Sequence, residues 1–309
     1  MSPATPLPTP EHIDSEVYLE LLPSVSENEN EVARLDAMHH ALHEYFDGGL
    51  CVFQLQDERP QRILELGCGS GAWYYAVSIS ALSCSFRAIQ AAIDFPEAQV
   101  IAVDISPLPA HRVLPDNMVF ELLDLRENLP FERESFDIVH ARMVMMHVPN
   151  AKDLVKRVAQ LVKSGGLLLL DDVDNKTWSD TAGPAVRPCV DKLMELWKMS
   201  GAEPELGRKF QYILAETSWF SEIQVEKIAI PLGGCIHDER LNKLGLISKL
   251  FLQRFVMVAG ARLAGEGLTE EMVQSCVKEL DQVGCTAVWD FYSCAARRGV
   301  LAELDAQEY

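Results

Sequence analysis

The 309-residue chain is 48% hydrophobic and carries a formal net charge of −19. That composition supports a full buried core and excludes global disorder. An acidic surface disfavours phosphate-rich partners, so the expectation is a small-molecule partner, no nucleic acid and no membrane.

Residues 1–16 read as a disordered tail. The first ten hold four prolines, with no basic stretch and apolar run of a signal peptide. No continuous apolar run approaches the roughly 20 residues of a bilayer helix. Eight cysteines lie at scattered spacings without a C-x-x-C pair. This is the pattern of reduced thiols in a cytoplasmic protein, not of a zinc site or disulfide framework.

Residues 29–46 have helical periodicity, with Val32, Leu35, Met38 (or His39), Leu42 and Phe46 on one face and Gly48-Gly49 ending the run. His39 and His43 are one helical turn apart, but no third ligand accompanies them, and no metal is expected. Short apolar strands follow at residues 62–66, 99–104, 118–122, 136–140 and 167–170. The helix 153–162 precedes the last of these, ended by Ser164-Gly165-Gly166. Strands that are apolar throughout and alternate with helices predict a parallel sheet covered on both faces. Residues 222–230 alternate in polarity, and 286–295 are rich in aromatic and β-branched types. Two helical stretches, 238–263 and 269–283, lie between them as an insertion beside the sheet.

The expected fold is a doubly wound, Rossmann-like α/β sheet of seven strands, the last antiparallel. It divides into a helical arm (17–58), a ligand-binding core (59–233), a helical cap (234–284) and a last strand with tail (285–309), all within one domain, 17–309.

Chemistry concentrates where the first strand meets Glu65-x-Gly67-Cys68-Gly69-x-Gly71. Glycines there allow a tight turn and a ligand approaching the backbone without meeting a Cβ. Gly67-x-Gly69-x-x-Ala72 also satisfies the dinucleotide fingerprint, which keeps an NAD-dependent oxidoreductase in view. Asp104, followed by Ile105, ends the second strand, where a carboxylate accepts ribose hydroxyls. Asp124-Leu125 follows the third strand, where an acid can accept an adenine amino group. No hydride-transfer constellation comes after them.

The succession Leu129-Pro130-Phe131, Phe136-Asp137-Ile138-Val139-His140-Ala141-Arg142 and Met146-His147 resembles class I methyltransferases. So does Leu64-Glu65-Leu66-Gly67-Cys68-Gly69-Ser70-Gly71-Ala72-Trp73. More narrowly, Tyr18-x-Glu20-Leu21-Leu22-Pro23 and Glu31-x-x-Arg34-Leu35-Asp36-x-x-His39-His40 look like the N-terminal segment of fungal secondary-metabolism methyltransferases. The resemblance runs from Tyr18 to Gly233 and fades in the cap. It implies S-adenosylmethionine (SAM) as cofactor, with its methyl group passing to a metabolite oxygen or nitrogen. Tyr18 and Arg34 would close over the donor, with Arg34 facing the methionine carboxylate. Glu65, Gly67, Cys68, Gly69 and Gly71 would form its loop, Asp104 and Ile105 would meet ribose, and Asp124 and Leu125 adenine. Ala141, Arg142 and His147 would line the rest of its pocket. Some members of this group resemble non-catalytic regulators of secondary metabolism, which is the alternative reading.

One departure stands out. Gly71 and Asp104 are 33 positions apart, whereas the nucleotide-binding rule puts the acid about 20 residues on. Removing residues 74–87 restores the spacing, so the segment is either a retained intron translated in frame or an extension of the first core helix.

In-line methyl transfer needs alignment more than a triad, and a base only for a protonated nucleophile. Candidate bases are His147, Asp171 and Asp172 at the mouth of the fifth strand, and His237. Trp178, Trp197, Met194 and Met199 are candidates for an aromatic acceptor pocket or for core. Apolar residues on more than one face of 241–263 suit either a lid over the acceptor or a homodimer contact through the cap.

Overall fold

The computed structural model describes residues 29–69, 87–108, 113–235 and 237–300. Five apolar runs dominate the sequence, and they become five adjacent strands of one seven-stranded sheet. Its strands are β1 (Arg62–Leu66), β2 (Gln99–Asp104), β3 (Met118–Leu122), β4 (Phe136–Arg142), β5 (Val162–Asp174), β6 (Phe220–Pro231) and β7 (Val288–Arg298). Their order is β3-β2-β1-β4-β5-β7-β6. The first five run parallel, and β7 is antiparallel to both neighbours.

Burial follows position. β1, β2 and β4 are buried along nearly their whole length, as strands covered on both faces must be. The edge strands β3 and β6 leave much of their length exposed. Strand order reverses between β1 and β4, which opens a crevice at their carboxyl ends.

Several boundaries differ from the sequence expectation. β4 continues to Arg142, and β5 begins at Val162, ahead of the expected glycine stop. Gly165 takes φ +78°, and the β4–β5 register jumps from Phe136↔Val162 to Ile138↔Leu167. A Cβ on Gly166 would lie 2.8 Å from the Asp137 carbonyl oxygen. These glycines let one strand cross close to another; they do not end a helix.

The helices are α1 (Glu29–Tyr45), α2 (Arg87–Asp94), α3 (Ala151–Ala159), α4 (Asn175–Thr181), α5 (Val186–Met199), α6 (Phe210–Ala215), α7 (Glu239–Leu263) and α8 (Glu270–Leu280). The sequence reading left α4 to α6 unassigned. Asp238 and Thr269 cap α7 and α8 by accepting the Leu241 and Met272 N–H groups. α7 packs against α1 and β6, and ion pairs Lys243–Glu44 and Arg240–Asp47 reinforce the seam. By length and composition α7 would suffice to cross a bilayer, which the run-length argument missed; 44% of its apolar window is buried inside this fold.

A cavity at the strand switch point

A cavity of about 270 Å³ lies above the carboxyl ends of the central strands. On the β1–β2–β3 side it is lined by Gly67, Cys68, Gly69, Asp104, Ile105, Asp124 and Leu125. Arg34, Met38 and His39 of α1 form one wall. On the β5–β7 side the lining is His147, Asn175, Trp197, Phe251, Phe255 and Trp289. A sequence-distant set thus shares one space because the arm and cap helices pack across the mouth of the sheet.

The glycine turn has specific geometry. Gly67 and Gly69 take φ +61° and +65°, values that L side chains rarely adopt. A Cβ on Gly67 would collide with the Val144 side chain. On Gly69 it would meet only Leu35 Cδ1 at 3.7 Å, inside the cavity. The first glycine therefore serves close packing and the second leaves room for a ligand. Gly67→Ala is expected to lower stability by about 1–3 kcal/mol, from αL strain plus overpacking. Thermal unfolding checks this, and Val144→Ala in the same chain is expected to restore only the packing part.

Asp104 is held by the turn it serves. Its Oδ2 accepts the Gly69 N–H at 2.8 Å and Oδ1 the Ser106 N–H at 2.9 Å. Asp124 accepts Arg126 Nε at 2.9 Å and Nη2 at 2.7 Å, with the Arg126 backbone N–H at 2.9 Å. Burial pushes its carboxyl up, but these bonds outweigh it and leave the group below its usual range.

Other expected site residues lie beneath the cavity, not on it. Glu65, Ala141, Asp171 and Asp172 are at most 2% exposed and do not line it. This corrects the reading of Asp171 and Asp172 as bases at a strand mouth. β5 runs on to Asp174, so both acids sit within the sheet. Asp171 accepts from Arg142 Nε at 2.6 Å and Ser293 Oγ at 2.5 Å. Burial raises its carboxyl, yet Arg142 and His140 hold it far below the usual range. Asp172 Oδ2 accepts the Met146 N–H at 3.0 Å, which fixes the short 3-10 turn Met145–His147. Both acids position cavity residues (Arg142 and His147).

His147 does line the cavity. Burial and the Arg34 charge push its imidazole down to about 4, so it is neutral at physiological pH. His237 is exposed and lies outside the cavity. His39 and His43 stack with ring centroids 6.5 Å apart, and the described residues contain no metal-ligand cluster.

Of the four aromatic-pocket candidates, only Trp197 lines the cavity, and Trp178 is core. Asn175 and Trp289 went unrecognised because nothing in their local sequence marks them. They meet only through the β5–β7 pairing, where Trp289 Nε1 donates to Asn175 Oδ1 at 3.0 Å. Tyr18, Gly71 and nearly all of the 74–87 segment lie outside the described residues.

Sheet order, glycine turn and acid-tipped β2 define a doubly wound nucleoside-binding protein. The chain belongs to the methyltransferase domain family, which matches residues 38–224, more than half its length. The family's methyl donor is SAM. Two relatives from Strobilurus tenacellus are similar over most of their length. Methyltransferase str2 is 32% identical over 82% of this chain and 86% of its own. Methyltransferase str3 is 36% identical over 74% and 76%. A solved Haemonchus contortus phosphoethanolamine N-methyltransferase 2, bound to phosphomonomethylethanolamine and S-adenosylhomocysteine, shares the fold at TM-score 0.52 and 16% identity. The match covers 91% of this chain, which spans about 60% of that one. The site residues fit the donor. Gly69 leaves space where a Cβ would intrude, and acids end β2 and follow β3, where a ribose and an adenine would be met.

Proposed function

We propose that the chain methylates an oxygen of a flat, apolar small molecule. The observation that carries this is the far end of the cavity. There Trp197 stacks on Phe255 at 5.5 Å between centroids and Phe251 on Trp289 at 6.0 Å. Among the described lining residues the only acids are Asp104 and Asp124, both at the donor side. A cationic amine would find no counter-charge beside the aromatic rings, whereas a neutral hydroxyl or a carboxylate meets Arg34 and a neutral imidazole.

SAM supplies a methyl group already activated on a sulfonium. Asp104 would hold the ribose, Asp124 with Arg126 would border the adenine, and Arg34 would face the methionine carboxylate. The Arg34 guanidinium sits 3.9 Å above the Phe251 ring, which joins the donor wall to the acceptor wall. His147, packed edge-on to Trp197 at 6.2 Å, orients the acceptor hydroxyl by accepting its hydrogen bond. With a pKa near 4 it does not retain the proton, which leaves to solvent as the hydroxyl O–H bond breaks and the O–CH₃ bond forms. Exclusion of water by the stacked rings and alignment of the nucleophile supply most of the rate.

The test is a panel of phenols, carboxylic acids and amines incubated with SAM and read by product mass. Methylated phenols or acids are expected, with Trp197→Ala raising the acceptor KM by roughly tenfold or more through loss of buried aromatic area. Turnover of amines alone sinks the proposal. Tight S-adenosylhomocysteine binding without any product favours the regulator alternative.

A further inference from the structure

Under the cavity floor, four charged side chains from three adjacent strands touch in series. His140 on β4 stands opposite Glu65 on β1 in the strand register, and Arg142 stands opposite Asp171 on β5. His140 Nδ1 lies 2.6 Å from Glu65 Oε2, and its Nε2 lies 3.3 Å from Asp171 Oδ2. Arg142 Nε lies 2.6 Å from the same Asp171 oxygen, and Ser293 on β7 donates to the other at 2.5 Å. All four charged residues are at most 3% exposed.

An ionised carboxylate only accepts hydrogen bonds, and a neutral imidazole donates through one nitrogen alone. A ring held between two carboxylates satisfies both only when both nitrogens carry protons. The group then balances, with Glu65 and Asp171 negative and His140 and Arg142 positive. A buried charge pair survives only under such complete pairing. Burial pushes His140 down, but Glu65 first and then Asp171 more than reverse this and leave it raised. Among the described residues His43 also interacts with Arg142, and burial pushes its imidazole down toward the neutral form. The nearby Cys51 and Cys294 thiols are pushed up to about 12 by burial and Asp171, and stay neutral.

Glu65 is two residues before Gly67, and Arg142 lines the cavity while donating to the Leu50 carbonyl and lying 5.2 Å from the Phe46 ring. We infer that His140 is a positioning residue for methyl-donor binding: as a doubly donating imidazolium it ties the strand that feeds the glycine turn to the strand that carries Arg142. It does not touch the reacting atoms. Its role is to hold two sides of the donor rim, on β1 and β4, at one spacing.

Two measurements on the full chain test this. Nitrogen-15 NMR of the unaltered protein is expected to show both His140 ring nitrogens protonated at neutral pH; a singly protonated ring overturns the inference. Calorimetric titration of S-adenosylhomocysteine into His140→Gln is expected to show affinity reduced roughly 2- to 30-fold, the range by which a residue out of contact with the ligand modulates its binding. In Glu65→Gln the ring loses its stronger partner, so its pKa falls. Donor affinity in that variant is expected to decline as pH rises through neutrality, while the parent stays flat. A folded His140→Gln with parental affinity overturns the inference, since a merely structural histidine changes the melting temperature alone. If His140→Gln does not fold, the NMR result on the parent decides.

Discussion

Asp104→Ala is expected to weaken S-adenosylhomocysteine binding by roughly 100-fold. If Asp104 accepts both ribose hydroxyls, two charge-assisted hydrogen bonds at about 1.5 kcal/mol each amount to about 3 kcal/mol. The loss has a second source within the protein. The Asp104 carboxylate accepts the Gly69 and Ser106 N–H groups, so its removal also loosens the turn that faces the ligand. Asp104→Asn separates the two. An amide presents its NH₂ to at least one of those backbone donors, or turns it toward the ribose, so affinity is expected to fall, though less than with alanine. Calorimetry measures both variants. Unchanged affinity in Asp104→Ala removes the residue from the donor site.

Arg142→Met is expected to lower unfolding free energy by about 3–5 kcal/mol, the cost of leaving a buried carboxylate without its cation. Methionine fills the volume but leaves Asp171 and the Leu50 carbonyl without the guanidinium. The pH dependence has a definite sign. In the parent, the folded-state pKa of Asp171 is depressed. Its contribution is present above the unfolded value of about 3.9 and is lost as pH falls toward the folded one. Without Arg142 the folded pKa rises, so the variant is expected to narrow its deficit as the medium becomes acidic. Urea unfolding across that range reads the effect. A constant deficit at every pH shows that Asp171 does not carry it.

Much of the glycine-turn wall of the cavity was legible because its signals are local. A glycine triplet after an apolar strand, an acid ending the next strand and another acid after the third follow from chain geometry within single βα units. The same locality explains the errors. Asp171 and Asp172 occupy the right strand, but whether a strand-end acid faces ligand or core depends on how far β5 extends and on what β7 places beside it. Ser164-Gly165-Gly166 has the composition of a helix stop, and became a strand crossing because the neighbouring backbone approaches closely.

By itself the sequence determined the parallel α/β core and the glycine turn with its two acids, because backbone conformation, strand burial and ligand approach are dictated over spans of a few residues. Sequence offered Trp197 and the helix 241–263 only as candidates beside a core or dimer role; tertiary structure decided the aromatic wall proposed for the acceptor. Trp197, Phe251, Phe255 and Trp289 come from α5, α7 and β7, and they meet because those elements fold across the crevice. The same packing decided which buried charges pair. Nothing in the separate segments of Glu65, His140, Asp171 and Arg142 shows that they pair with one another; strand register sets them side by side, and low dielectric then makes their mutual neutralisation obligatory.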